Sequence, residues 1–175
     1  AGYFRWLDSV VMRVMDGLMA IPAILLAIAL VSLSGASLLT VILAVTIPEV
    51  PRVVRLVRSI VLTIREEPYV EAAISVGTPV AKVIWRHVLP NSLTPVITFL
   101  PFRMSSAILA LTSLDFLGLG VPGSVPSLGQ LLQQGKANLD AWWIIVPTFV
   151  LLTVTMLLLT FIGDALRDAF DTRKS

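Results

Sequence analysis

The chain has 175 residues, of which 57% are hydrophobic and 14% charged, with a mean hydropathy of +0.92. A soluble domain is nearer half apolar and a quarter charged, so this composition excludes an ordinary soluble globule and points to an integral membrane protein. With a net charge of +2, no cysteine and one histidine, His87, neither a disulfide framework, a thiolate or histidine metal centre, nor a nucleic-acid-binding face is expected.

The start, Ala1-Gly2-Tyr3-Phe4, carries no initiator Met or signal peptide, so the chain is expected to be a fragment lacking its N-terminal part. Residues 1–16 are mixed and charged. They are expected to be partly helical, with Val10, Val11, Val14 and Met15 on one apolar face. From Gly17 to Pro48 there is no charge, which is too long for one membrane helix of about 20 residues. Ser32-Leu33-Ser34-Gly35-Ala36-Ser37 is the expected break, giving spans near 17–33 and 36–57. Pro22, Pro48 and Pro51 fall within them, as membrane helices allow. Arg52, Arg55 and Arg58 follow at i, i+3, i+6 and make one side of the second span basic at the membrane edge. They suit an anchor at the lipid headgroups, and alternatively contact with acidic lipid or with a partner protein.

Residues 66–90 form a polar hairpin between apolar runs. Pro68 suits the first turn of a helix and Glu71 the positive end of its dipole. Val70, Ala73 and Ile74 make one apolar face, and Gly77 is placed to end the helix in the left-handed conformation. Thr78 is then expected to cap a second helix with Pro79 at its first position. Val80, Val83, Ile84 and Val88 form its apolar face, Lys82 and Arg86 lie elsewhere, and Pro90 is expected to stop it. Ala72, Ala73 and Gly77 leave room for another surface. An amphipathic loop resting on the bilayer is the plainer alternative.

A third span is expected near 92–114, with Pro95, Pro101 and Arg103 inside it. Arg103 should face protein or water, snorkelling as a structural residue or serving in gating. Residues 116–141 are a Gly- and Pro-rich loop in which Ser127 is expected to cap a short helix over 128–136. Trp142 and Trp143 suit an aromatic belt before the last span, 142–163. A helical tail follows, with Asp164 pairing to Arg167 or along to Asp168, and the basic end Arg173-Lys174.

Orientation follows from Lys and Arg. On this assignment Arg5, Arg13, Arg52, Arg55, Arg58, Arg65, Lys82, Arg86, Arg167, Arg173 and Lys174 lie on one side and Lys136 on the other. The biased side is the cytoplasmic one. Both ends and the hairpin are therefore expected in the cytoplasm, with an even number of spans, four. No P-loop, His-Glu-x-x-His or Gly-x-Ser-x-Gly occurs, so the chain is expected to bind no nucleotide or other cofactor and to be no enzyme. Asp115 and Asp140 have no partner nearby in sequence.

Glu71-Ala72-Ala73, three residues, Gly77, and then Val88-Leu89-Pro90 resemble the EAA loop of bacterial ABC importer permeases. Tyr69 to Asn91 is similar to the dipeptide, oligopeptide and nickel permeases, most of all to their C-type subunit. Met12-Arg13-Val14-Met15-Asp16, Arg55-Leu56-Val57-Arg58, Phe116 to Val121 and Gly163 to Asp168 match in family order over nearly the whole chain. The chain departs from the family pattern at Glu49, Asp115, Thr160 and Asp171-Thr172-Arg173, while His87 is usual for the peptide group. The resemblance implies an all-α, type I-like permease bundle in a bacterial inner membrane. It implies that Glu71, Ala72, Ala73, Ile74, Gly77, Val88, Leu89 and Pro90 couple to the ATPase, and that Arg52, Arg55 and Arg58 are membrane-edge residues. The implied partners are a homologous second permease subunit, two ATP-binding cassette subunits, an extracytoplasmic binding protein delivering peptide or nickel, and lipid. The alternatives are a non-transporting membrane scaffold whose hairpin docks another protein, and an intramembrane enzyme, which the lack of paired ionisable groups within the spans disfavours.

Overall fold

The computed structural model describes residues 5–170. The expectations for residues 1–4 and for the basic end at 173–174 lie outside the described residues. Among the described residues the fold is all-α with no strand. Helix α1 spans Arg5–Met19, α2 Ala23–Ser34, α3 Leu38–Arg65, α4 Pro68–Ser75 and α5 Val80–Val83. A π-turn, Ile84–Val88, leads without a gap into α6, Leu89–Phe116, and α7 (Leu128–Ala137) and α8 (Trp142–Phe170) complete the chain.

Among the described residues two helices are long and apolar enough to cross a membrane, the continuous Val80–Phe116 and Trp142–Phe170, and the bent pair of α1 and α2 makes a third if it counts as one span. At 1.5 Å per residue they measure about 55 and 43 Å. They contain the stretches expected as the third and last spans. The apolar run read as one span over 17–33 is instead divided. Helices α1 and α2 meet at a bend of 80°, because the chain leaves the helix after Met19 and Pro22 restarts it at the N-cap of α2. Most of the 36–57 stretch lies within α3, which starts at Leu38 and whose apolar run is interrupted by Glu49, Arg52 and Arg55.

The long middle helix corrects a second expectation. Pro90 does not end it. The N–H of Leu89 reaches the carbonyl of Ile84, an i→i+5 bond. A proline needs no N–H acceptor, but its ring crowds the carbonyl four residues back. The wider π-turn absorbs that crowding, and the helix passes through Pro90.

Helix α6 is the axis of the bundle, packing on α3, α7 and α8. One core joins Ala27 and Val31 of α2, Val41 and Ala44 of α3 and Leu114 of α6, with Leu119 and Val121 folding over it. Gly163 lets α8 approach α6 closely, since a Cβ there would stand 2.6 Å from the Phe102 ring. The outer side of α8, including Phe149, Val150, Leu157, Leu158 and Phe161, is exposed. Such an apolar face is suited to lipid or to another membrane helix.

Candidate functional site

The hairpin has its own hydrophobic core. Ile64 from the end of α3, Val70 from α4, Val83 from α5 and Val88 from the π-turn are all buried, with Ile60, Val61 and Ala73 packed against them. Burial of Val70 and Val83 is complete, and at about 25 cal/mol per Å² of apolar surface each contributes roughly 1.5–3 kcal/mol to holding the hairpin on α3.

Helix α4 starts at Pro68, with Glu71 in its first turn. It ends in a Schellman motif. The Gly77 N–H donates to the Ile74 carbonyl at 2.9 Å and the Thr78 N–H to the Ala73 carbonyl at 3.1 Å. Gly77 has φ +81°, and a Cβ there would meet nothing within 4 Å. The glycine is therefore required by conformation and not by crowding. The expected cap by Thr78 does not form: Pro79 is the N-cap of α5, without a side-chain cap bond. Pro79 already fixes the entry angle, so the cap has little left to do.

The core leaves an outward crest. Glu71, Ala72, Ile74 and Gly77 are exposed, Val76 is 85% exposed and Trp85 71%. Of the sequence-predicted residues, Ala73 turns partly into the hairpin core and Val88 lies fully within it, while Leu89 and Pro90 are exposed at the π-turn. Tyr69 stands 6.2 Å from His87, ring centre to ring centre, so both arms of the hairpin meet there. Burial, with Glu67's charge in second place, pushes the Tyr69 hydroxyl above its ordinary pKa. It stays a neutral hydrogen-bonding group.

Arg52, Arg55 and Arg58 of α3 are not free. Arg52 pairs with Glu49 one turn earlier. Arg55 Nη2 donates to Asp16 at 2.5 Å. Arg58 forms a two-bond fork on Asp8, both bonds 2.7 Å, the geometry in which Arg is most selective for a carboxylate. The bond to Asp8 raises the Arg58 pKa further, against a smaller opposing effect of burial. Asp8 and Asp16 lie about 12 Å apart along α1, whereas Arg58 and Arg55 lie about 4.5 Å apart along α3. The spacing difference means that α1 crosses α3 obliquely. The basic stripe is thus a clasp for α1. Glu49 also accepts from Arg103 of α6 at 3.4 Å, so the arginine inside the long helix is met by protein.

Sequence reasoning missed Asp8, Asp16 and Glu49 as partners. The available signal was that Arg52, Arg55 and Arg58 outnumber the acids near them in sequence. Asp115 was also missed. It is 2% exposed, and its Oδ1 accepts from the Val121 N–H at 2.8 Å. The turn after α6 is a second Schellman motif, with Gly118 donating to Asp115 and Leu119 to Leu114.

An all-α bundle with membrane-length helices and a packed polar hairpin defines a multi-pass membrane protein. The whole chain, residues 1–175, matches the family described as "Binding-protein-dependent transport system inner membrane component". The chain belongs to this family. It is 46% identical over 174 residues to a probable peptide ABC transporter permease protein, y4tQ, of Sinorhizobium fredii, covering 99% of this chain and 60% of the relative. It is 40% identical to the dipeptide transport system permease protein DppC of Alkalihalophilus pseudofirmus, over 99% of this chain and 58% of the relative. Against the glutathione transport system permease protein GsiD of Pectobacterium atrosepticum the identity is 35%, over 99% and 58%. The chain thus spans about 60% of the length of the curated relatives it matches.

Proposed function

We propose that this chain is the greater part of a membrane permease subunit of an ATP-driven importer, and that it moves peptides. The observation that carries this is the hairpin: a folded unit with its own core, an exposed crest at Ile74, Val76 and Trp85, and a rigid connection into a membrane-length helix. A loop with no partner has no need of a packed core beneath exposed apolar residues. An ATPase subunit seated on Glu71, Ala72, Ile74 and Gly77 would move the hairpin as a body, and the π-turn would pass that motion into α6. The names of the relatives favour peptide over nickel as cargo.

The hairpin and both ends of the chain are assigned to the cytoplasmic side, a reading that the excess of Lys and Arg there supports. The remaining partners follow from the family: a homologous permease subunit, two nucleotide-binding ATPase subunits and a binding protein on the other face. Nucleotide is bound by the ATPase subunits and no cofactor by this chain. The experiment is reconstitution of the complete subunit with these partners in vesicles. ATP-dependent peptide accumulation that disappears when this subunit is omitted is the expected result. Accumulation of no peptide, with the ATPase bound and active, would overturn the importer and favour a docking scaffold.

A further inference from the structure

An open cavity of about 720 Å³ lies between the hairpin-proximal half of α6 and the last turns of α8. Its size is that of a small-molecule site. Arg103 of α6 and Asp164 and Arg167 of α8 line it, and Phe99, Phe102 and Phe170 supply its apolar wall. The charges are not consumed by one another. Asp164 and Arg167 lie three residues apart on α8, yet no ion pair joins them. Arg103 makes one long bond, 3.4 Å, to a Glu49 carboxylate that Arg52 already holds. A guanidinium has five N–H donors, so most of its capacity remains for another acceptor. Arg103 lies within a membrane-length helix, where a charge is costly unless it meets water or an opposite charge.

The geometry points to a contact site for a small zwitterion of the peptide class. Its terminal carboxylate lies between Arg103 and Arg167, its ammonium at Asp164, and its side chains against the phenylalanines. Two guanidiniums and one carboxylate match the two ends of a peptide. A simple anion would be repelled by Asp164. This assignment rests on the peptide-importer function proposed above and adds where along the pathway the substrate is held.

The test uses the complete transporter with all its subunits in vesicles, carrying Arg103→Gln, Arg167→Gln or Asp164→Asn. Asp164 and Arg167 are exposed on α8, and Arg103→Gln leaves Glu49 paired to Arg52, so each variant should fold. Two readouts are taken: uptake of a mixture of L-dipeptides, and labelling by a dipeptide of photoactivatable leucine and alanine, mapped by peptide mass spectrometry. Loss of one charge-assisted bond should lower uptake about tenfold or more in each variant. Labelling of α6 and α8 at the cavity should fall in parallel. Uptake and labelling equal to wild type in all three variants, or labelling that maps elsewhere, overturns the site and leaves the importer standing. Reduced uptake with cavity labelling at wild-type strength overturns recognition by these charges. No dipeptide uptake by the wild type overturns the site and the peptide importer together.

Discussion

Both ends of the long middle helix border a glycine turn of the same type. Gly77, in the hairpin before it, has φ +81°, and Gly118, just after it, has φ +76°. Each closes the same pair of hydrogen bonds over the end of a helix. What surrounds them differs. Around Gly77 there is open space, and the hairpin packs on α3 mainly through apolar contacts, beside the turn bond from the Glu67 N–H to the Ile64 carbonyl. After Gly118 the chain is pinned by the buried carboxylate of Asp115. A Cβ on Gly120 would lie 1.5 Å from its Oδ1, and one on Gly129 2.5 Å from the Thr112 carbonyl. Non-directional contacts allow a unit to shift as a body, whereas a buried hydrogen-bonded carboxylate tolerates one arrangement. The loop is pinned by directional hydrogen bonds, whereas the hairpin is seated mainly by non-directional packing.

That contrast can be broken most severely at Gly129. Gly129→Val forces backbone apart at the α6–α7 contact and should cost about 3 kcal/mol, near the upper end of overpacking penalties. Chemical unfolding of the complete subunit and protease cutting of residues 117–141 would both report it. Asp115→Ala comes next. It strands the Val121 N–H in a buried place, at about 1–3 kcal/mol, and Asp115→Asn, which keeps an acceptor, should cost less in the same assays. Gly77→Val carries a left-handed strain of about 1–2 kcal/mol in open space. Stability should fall by no more than that strain and membrane insertion should be intact, while coupled transport should be lost. Normal transport at normal expression would show that the Gly77 turn does not transmit motion.

The smallest effect is expected at the α1 clasp. Arg58→Asp should free α1 from α3, seen as a longer α1–α3 distance between spin labels, and adding Asp8→Arg should bring the distance back. No change in that distance on Arg58→Asp would mean that the Arg58 fork is not needed to position α1, the Arg55–Asp16 pair and apolar packing holding it.

What could be read from the residues was local. The Ser127 cap of α7 accepts from the Gln130 N–H, the Gly77 turn falls where a left-handed residue is needed, and of the two expected apolar faces Val70, Val83 and Val88 are buried while Ile74 and Val80 are exposed. Each depends on neighbours within a few positions. The misses needed either a rare backbone form or long-range pairing. A proline after a polar stretch normally stops a helix, and only the i→i+5 bond at Leu89 lets Pro90 continue one. The partners of Arg55 and Arg58 lie 39 and 50 residues away, beyond any spacing rule. Asp164 and Arg167 have the right spacing for a helical pair yet line a cavity instead. Asp115 has no partner nearby in sequence, but the loop folds back over it and the Val121 N–H donates to it.

The most direct test uses the absence of cysteine from these 175 residues. Ala72 is exposed on α4 while Ala73 is partly covered by the hairpin core, so Ala72→Cys is the probe, in the complete subunit with a second Cys in the groove of the ATPase subunit. A crosslink in membranes whose yield changes when ATP is added is the predicted result. No crosslink, with both proteins present and a control pair reacting, would contradict the hairpin as the coupling element.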